Sequence, residues 1–379
     1  MRRRIPLLLF LSMAAPLHTR LEAQNWGQYG VTINKAPGFN LGFLGVNRSG
    51  QMAGSDGSSF GSVFSPGAGT SSVGTLGGSY SGALGVSNSG NVTGYSGTAG
   101  NAQNHAFLSS GGPLQDLGTL GGSYSYGYGV NDAGEVAGHS GTAGDAYQHA
   151  FLWSGGSMQD LGTLGGDYSY AYALNGSGQV AGYANTAGNT AIHATRWAGG
   201  AQDLGTLGGL YSFAYGINNS GAVIGQSLTA GNAQYHAFLT SGSSMLDLGT
   251  LGGSYSRAFG VSDAGQVVGE SYSTGDANFL AAIWESSGSG YTAYDFNSIV
   301  NDGVVNSGWN IQLARGISDD SRYVSAYAYT DDNSYSGFVV LEANAPVTAT
   351  PEPATLALVA TGLGGIAGAA RRRKRPMPA

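Results

Sequence analysis

Between Tyr126 and Val130 large and small side chains alternate, the period of a β-strand with two unlike faces. Asn131-Asp132-Ala133-Gly134 follows as a hairpin turn, its glycine supplying the positive φ that such turns need. Glu135 to Ser140 reads as the returning strand and Ser140 to Asp145 as a flexible polar loop. His149 to Trp153 is a third strand, Ser154-Gly155-Gly156-Ser157 turns it, and Met158 to Gly162 is the fourth. The pattern predicts four short antiparallel strands within 44 residues.

This unit recurs. Gly-Thr-Leu-Gly-Gly occurs five times, with its Leu at 76, 120, 164, 207 and 251. The hairpin turn recurs with its Gly at 50, 90, 134, 178, 221 and 265, and a seventh copy from Gly316 to Ser325 has Ser321 in that place. His-Ala-Phe-Leu begins at His105, His149 and His236, with His193-Ala194-Thr195 as a variant. The three elements resemble the HAF family of extracellular repeats over most of residues 41–342, and the resemblance implies an exported protein.

Four strands per 44 residues is the spacing of a propeller blade, so the expected fold is all-β, a β-propeller of about seven four-stranded blades over residues 24–345. The last copy supplies three strands, and the lone strand Gln28 to Lys35 is placed to complete it and hide both sheet edges. The step from Gly265 to Ser321 is longer than the rest, which puts an insertion near Asn301 to Asn310. The same periodicity also admits a β-solenoid or stacked sheets.

Both ends depart from the repeat. Arg2, Arg3 and Arg4, the short apolar run from Ile5 to Ala15 and the small residue Ala23 read as a signal peptide over 1–23. Residues 349–379 hold Pro351-Glu352-Pro353, an uncharged stretch over 354–370, and a basic end over 371–375. Seventeen helical residues rise about 25 Å, the low limit for a membrane span, and the cluster Arg371, Arg372, Arg373, Lys374, Arg375 orients it with that end in the cytoplasm. The order of motif, apolar helix and basic end resembles the PEP-CTERM sorting signal. That resemblance implies an exosortase-type processing enzyme as partner, in a Gram-negative bacterium. The chain would be held in the inner membrane through the C-terminal helix before processing, then reach the cell surface or the medium.

Residues 24–350 hold six basic against twenty acidic residues, a net charge of −14, so nucleic acid and anionic lipid are poor partners. With no cysteine, an exported chain must draw its stability from its core. Loops carry function more often than strands do, which points to the face shared by the Thr-Ala-Gly-Asn/Asp loops and the Leu-Gly-Gly-x-Tyr-Ser crossings. Tyr80, Tyr124, Tyr168, Tyr211 and Tyr255 each follow the Gly-Gly of a crossing and should ring that face. Two readings stand: wedges packed between blades, or a platform on which a neutral polysaccharide stacks.

No cofactor is expected. The four repeat histidines are one blade apart and cannot converge on a metal ion; each is expected beside an aspartate of its own unit, Asp116, Asp160, Asp203 or Asp247. In the sixth unit Leu280 takes the His place while Asp295 stays. Turn aspartates leave room for weak Ca²⁺ sites, without the spacing of a dedicated loop. Along the position after the second-strand Gly, only His139 and Glu270 are acid–base candidates, and they fall three blades apart. Asp319, Asp320, Asp331 and Asp332 read as solvated turn residues. The chain is thus expected to be non-enzymatic, structural or adhesive, with possible binding of exopolysaccharide; the alternative is a carbohydrate-active enzyme on a propeller scaffold.

Overall fold

The computed structural model describes residues 31–36, 38, 40–242, 244–287, 290–299 and 308–343. The expected signal peptide, residues 28–30 of the closing strand, most of the expected insertion (301–307) and the whole sorting signal lie outside them. Among the described residues no helix is long and apolar enough to cross a membrane.

The third unit shows why the repeat folds as it does. Its strands are Gly121–Val130, Val136–Thr142, Gln148–Ser154 and Ser157–Asp160, each antiparallel to the one before. Gly134 takes φ 78° and its N–H donates to the Asn131 carbonyl, closing the tight turn. Gly138 has a different cause: a Cβ there would lie 1.9 Å from the Tyr126 carbonyl oxygen, so any side chain would force the first two strands apart. The same collision recurs at Gly94, Gly182, Gly225 and Gly269.

The first strand begins five residues earlier than the alternation implied. The Leu-Gly-Gly-x-Tyr-Ser stretch is therefore not a crossing loop; from its glycines onward it is strand. The register slips between Gly121 and Ser125, and that irregularity hides the strand from a period-2 reading. The polar loop is likewise an ordered single 3₁₀ turn, Ala143–Asp145, with Gly144 and Asp145 at φ 69° and 55°. Asp145 Oδ1 accepts the Ser123 N–H at 2.7 Å, which pins the turn to the start of the first strand.

Among the described residues strands pair in seven antiparallel groups of four, over 40–72, 77–116, 121–160, 165–203, 208–249, 252–295 and 309–343. The last group takes its fourth strand from the other end of the chain: Val31–Lys35 pairs with Ser336–Ala343, from Val31 opposite Ala343 to Lys35 opposite Val339. Single parallel pairs, Asn104 with Tyr124, Gln148 with Tyr168 and Ile192 with Tyr211, join neighbouring groups.

The core is partitioned between groups. Ala106, Leu108 and Leu117 of one group pack on Val136, Phe151 and Trp153 of the next. The same sandwich repeats at each junction, and Val46, Met52 and Phe64 pack on Tyr323 and Val340, so the last group meets the first. Packing runs in a closed circuit, the arrangement of a β-propeller and not of a rod.

Candidate functional site

The residue after each repeat tyrosine explains the motif. Ser81, Ser125, Ser169, Ser212 and Ser256 are buried. Each Oγ accepts a backbone N–H from the preceding group, for Ser169 that of Ala150 at 2.8 Å, and donates to a backbone carbonyl, for Ser169 that of Gly162 at 2.7 Å. One hydroxyl thus satisfies two backbone groups at each junction. Sequence reasoning passed over this serine for the larger neighbour.

The five tyrosines do not form a uniform ring. Tyr80 donates its O–H to Asn104 Oδ1, and Tyr255 donates to Gln226 Oε1 at 3.1 Å and packs on Tyr272 and Phe279. Tyr124 is half-buried against Tyr126 and His139. Tyr168 and Tyr211 stay 39% and 36% exposed, as do Tyr147 (44%) and Leu210 (47%). The Tyr147 ring stands edge-on to Tyr168, 6.4 Å between centroids. Tyr147 was missed because it is the only aromatic at its place in the 3₁₀ turns, so repetition does not flag it.

The histidines pair as expected. Nδ1 of His105, His149, His193 and His236 lies 2.8 Å from a carboxylate oxygen of Asp116, Asp160, Asp203 and Asp247 respectively. The aspartates also accept the N–H of Gly118, Gly162, Gly205 and Gly249, so each pair fixes the crossing that follows. Among the described residues no three His, Asp or Glu side chains gather to hold a metal ion.

Side chains of the innermost strands line an axial channel. Tyr128, Tyr172, Tyr215 and Phe259, one per group, form an arc with centroids 5.0, 5.9 and 5.9 Å apart. The arc borders a cavity of about 360 Å³. Its mouth lies among the tight Asn-x-x-Gly turns, opposite the tyrosine face where function was first sought. There Arg48 Nη2 lies 3.5 Å from Asp263 and 3.4 Å from Asp319, Asn88 donates to Asp319 at 2.9 Å, and Asp132 accepts the Ser89 N–H. Asp319 is thus a bonded member of the mouth and not a free turn residue; burial raises its carboxyl pKa.

His139 and Glu270 are both buried but have separate surroundings. His139 is 7% exposed and stacks on Tyr126 and Tyr128 at 5.2 and 5.5 Å, with its Nδ1 unpaired. Burial pushes its pKa down to about 4. Glu270, 1% exposed, accepts from Arg257 Nε at 2.8 Å and from Nη2. Burial pushes its carboxyl up against the pull of Arg257 and Arg315. Neither group shares a partner with the other.

Residues 349–374 match the PEP-CTERM protein-sorting motif. The chain is therefore an exported protein of the kind that an exosortase sorts, anchored in the membrane before processing. No curated protein sequence matches it. Among solved structures it is similar to the putative TolB from Agrobacterium tumefaciens, at 12% identity and TM-score 0.41, over 54% of this chain and 79% of that one. It is also similar to TolB from Acinetobacter baumannii, at 12% identity and TM-score 0.41, over 62% of this chain and 59% of that one. At that distance neither carries an activity across.

Proposed function

We propose that the chain is a non-enzymatic protein of the cell surface or extracellular matrix whose HAF-like repeats build a seven-bladed propeller, and that this propeller binds neutral polysaccharide. The observation that carries the reading is the exposed Tyr147–Tyr168 ring pair, with Leu210 and Tyr211 of the next group also exposed. Aromatic rings held on strands offer sugars an apolar face at little entropic cost, and the acidic surface disfavours polyanionic glycans. Against a carbohydrate-active enzyme stands the chemistry of the two candidates: glycoside cleavage works with two carboxyl groups flanking one bond, whereas His139 is an imidazole and the Glu270 carboxylate is held by Arg257.

Affinity electrophoresis tests the reading. The wild-type chain should be retarded in gels containing a neutral polysaccharide, and Tyr168→Ala/Tyr211→Ala should migrate freely with its melting curve nearly unmoved. Equal mobility of both proteins with and without polysaccharide would reject it.

A further inference from the structure

We infer that Tyr147 and Tyr168 form a modification site, where hydrogen peroxide acting through a haem peroxidase joins the two phenols as dityrosine. The pair spans a junction. Tyr147 precedes the strand Gln148–Ser154, and Tyr168 lies in the first strand of the next group, where it pairs with Gln148. The backbone holds both. Tyr147 N–H donates to Thr142 Oγ1 at 3.1 Å and its carbonyl accepts the Thr142 N–H at 2.9 Å, while Tyr168 is inside a strand. Only the side chains are left to move. Each is exposed, and among the described residues neither hydroxyl is hydrogen-bonded. With 6.4 Å between centroids, rotamer adjustment brings the ring edges together.

Other sinks for a one-electron oxidant are shielded or isolated. The chain has no cysteine, and Trp153, Trp197, Trp284 and Trp309 are buried. Tyr211, Tyr294 and Tyr329 are exposed, yet among the described residues none has a ring contact, and coupling needs two radicals side by side. The channel tyrosines do touch, Tyr128 and Tyr172 at 5.0 Å, but burial raises the pKa of both phenols. A phenol that holds its proton so firmly is slow to leave as a neutral radical. Among the described residues Tyr147 and Tyr168 are the one ring pair with both members exposed.

The chemistry balances. Each phenol loses one electron and one proton, and the two radicals couple at carbons ortho to oxygen. One C–C bond forms, and the hydrogens on those carbons shift to the oxygens, restoring both phenols. Hydrogen peroxide takes up the two electrons and two protons, its O–O bond breaking to give two molecules of water. In an exported chain without cysteine, the product supplies the covalent tie between strand groups that a disulfide would otherwise give.

Treating the purified full-length chain, at low concentration, with a haem peroxidase and hydrogen peroxide tests the site. The monomer should gain dityrosine fluorescence. A digest should yield a cross-linked peptide pair holding Tyr147 and Tyr168, lighter by two hydrogen atoms than the separate peptides. Tyr147→Phe should abolish the fluorescence of the monomer, and Tyr211→Phe should leave it unchanged. Tyr147→Phe should still be retarded by neutral polysaccharide, because it keeps the ring and loses only the phenol, so the two roles of this surface fail separately. Treated wild type without a cross-linked monomer would overturn the assignment. So would links that join only other tyrosines or separate chains, or a Tyr147→Phe chain as fluorescent as wild type.

Discussion

Replacing Ser169 by Ala separates the two residues that the repeat places side by side. Ser169 is fully buried, and its hydroxyl serves the N–H of Ala150 and the carbonyl of Gly162. Alanine fits the space but leaves a donor and an acceptor without partners. At about 1–3 kcal/mol for each unsatisfied buried group, and less for the more accessible Gly162 carbonyl, the loss is about 2–4 kcal/mol. Tyr168→Ala removes a much larger side chain, yet one 39% exposed whose only ring neighbour among the described residues is Tyr147. Its cost should be about 1 kcal/mol, well below the 3–5 kcal/mol of a core aromatic. With an unfolding entropy of about 2.1 cal/mol/K per residue over some 300 ordered residues, 1 kcal/mol moves Tm by roughly 1.5 °C. Ser169→Ala should therefore melt about 3–6 °C below wild type and Tyr168→Ala within about 2 °C, by circular dichroism or calorimetry. The reverse order, or a Ser169→Ala curve that overlays wild type, would refute the view that the serine holds the junction.

Two further outcomes follow from the channel and the tail. His139 has an ordinary pKa near 6.5 when unfolded and about 4 when folded, so below pH 6.5 the unfolded chain binds the extra proton. Stability should fall as pH drops from 6.5 to 4, by about 3 kcal/mol from this residue, and His139→Gln should flatten that part of the urea-midpoint profile; an unaltered profile would show that His139 does not titrate this way. Deleting Arg371 to Arg375 removes the charge that orients the C-terminal segment, so fractionated cells should show altered membrane retention and processing, and an unchanged split between membrane and medium would contradict that role.

Much of this was legible in the chain because the repeat repeats its errors as well as its rules. The turn glycines, the His–Asp pairs and the strand that completes the last group each follow from local spacing. The channel was not legible. Tyr124, Tyr126 and Tyr128 alternate in one strand, but which of them meets Tyr172 or His139 depends on neighbours a whole unit away. Ser169 was overlooked for a physical reason: a hydroxyl's worth lies in the backbone groups it meets, and sequence spacing does not display them.

Closure of the ring decides which residues share a face, and cross-linking tests it directly. The chain has no cysteine, so a designed pair forms without competitors. Thr32 and Glu342 are directly opposed between the first described strand and the last, and opposed antiparallel residues have Cα atoms about 4.5–5.5 Å apart, within disulfide range. Thr32→Cys/Glu342→Cys should oxidise to a monomer of altered mobility in non-reducing gels, with a higher Tm that reduction reverses. Thiols that stay free, or that join only separate chains, would mean the two ends do not meet and the ring is open.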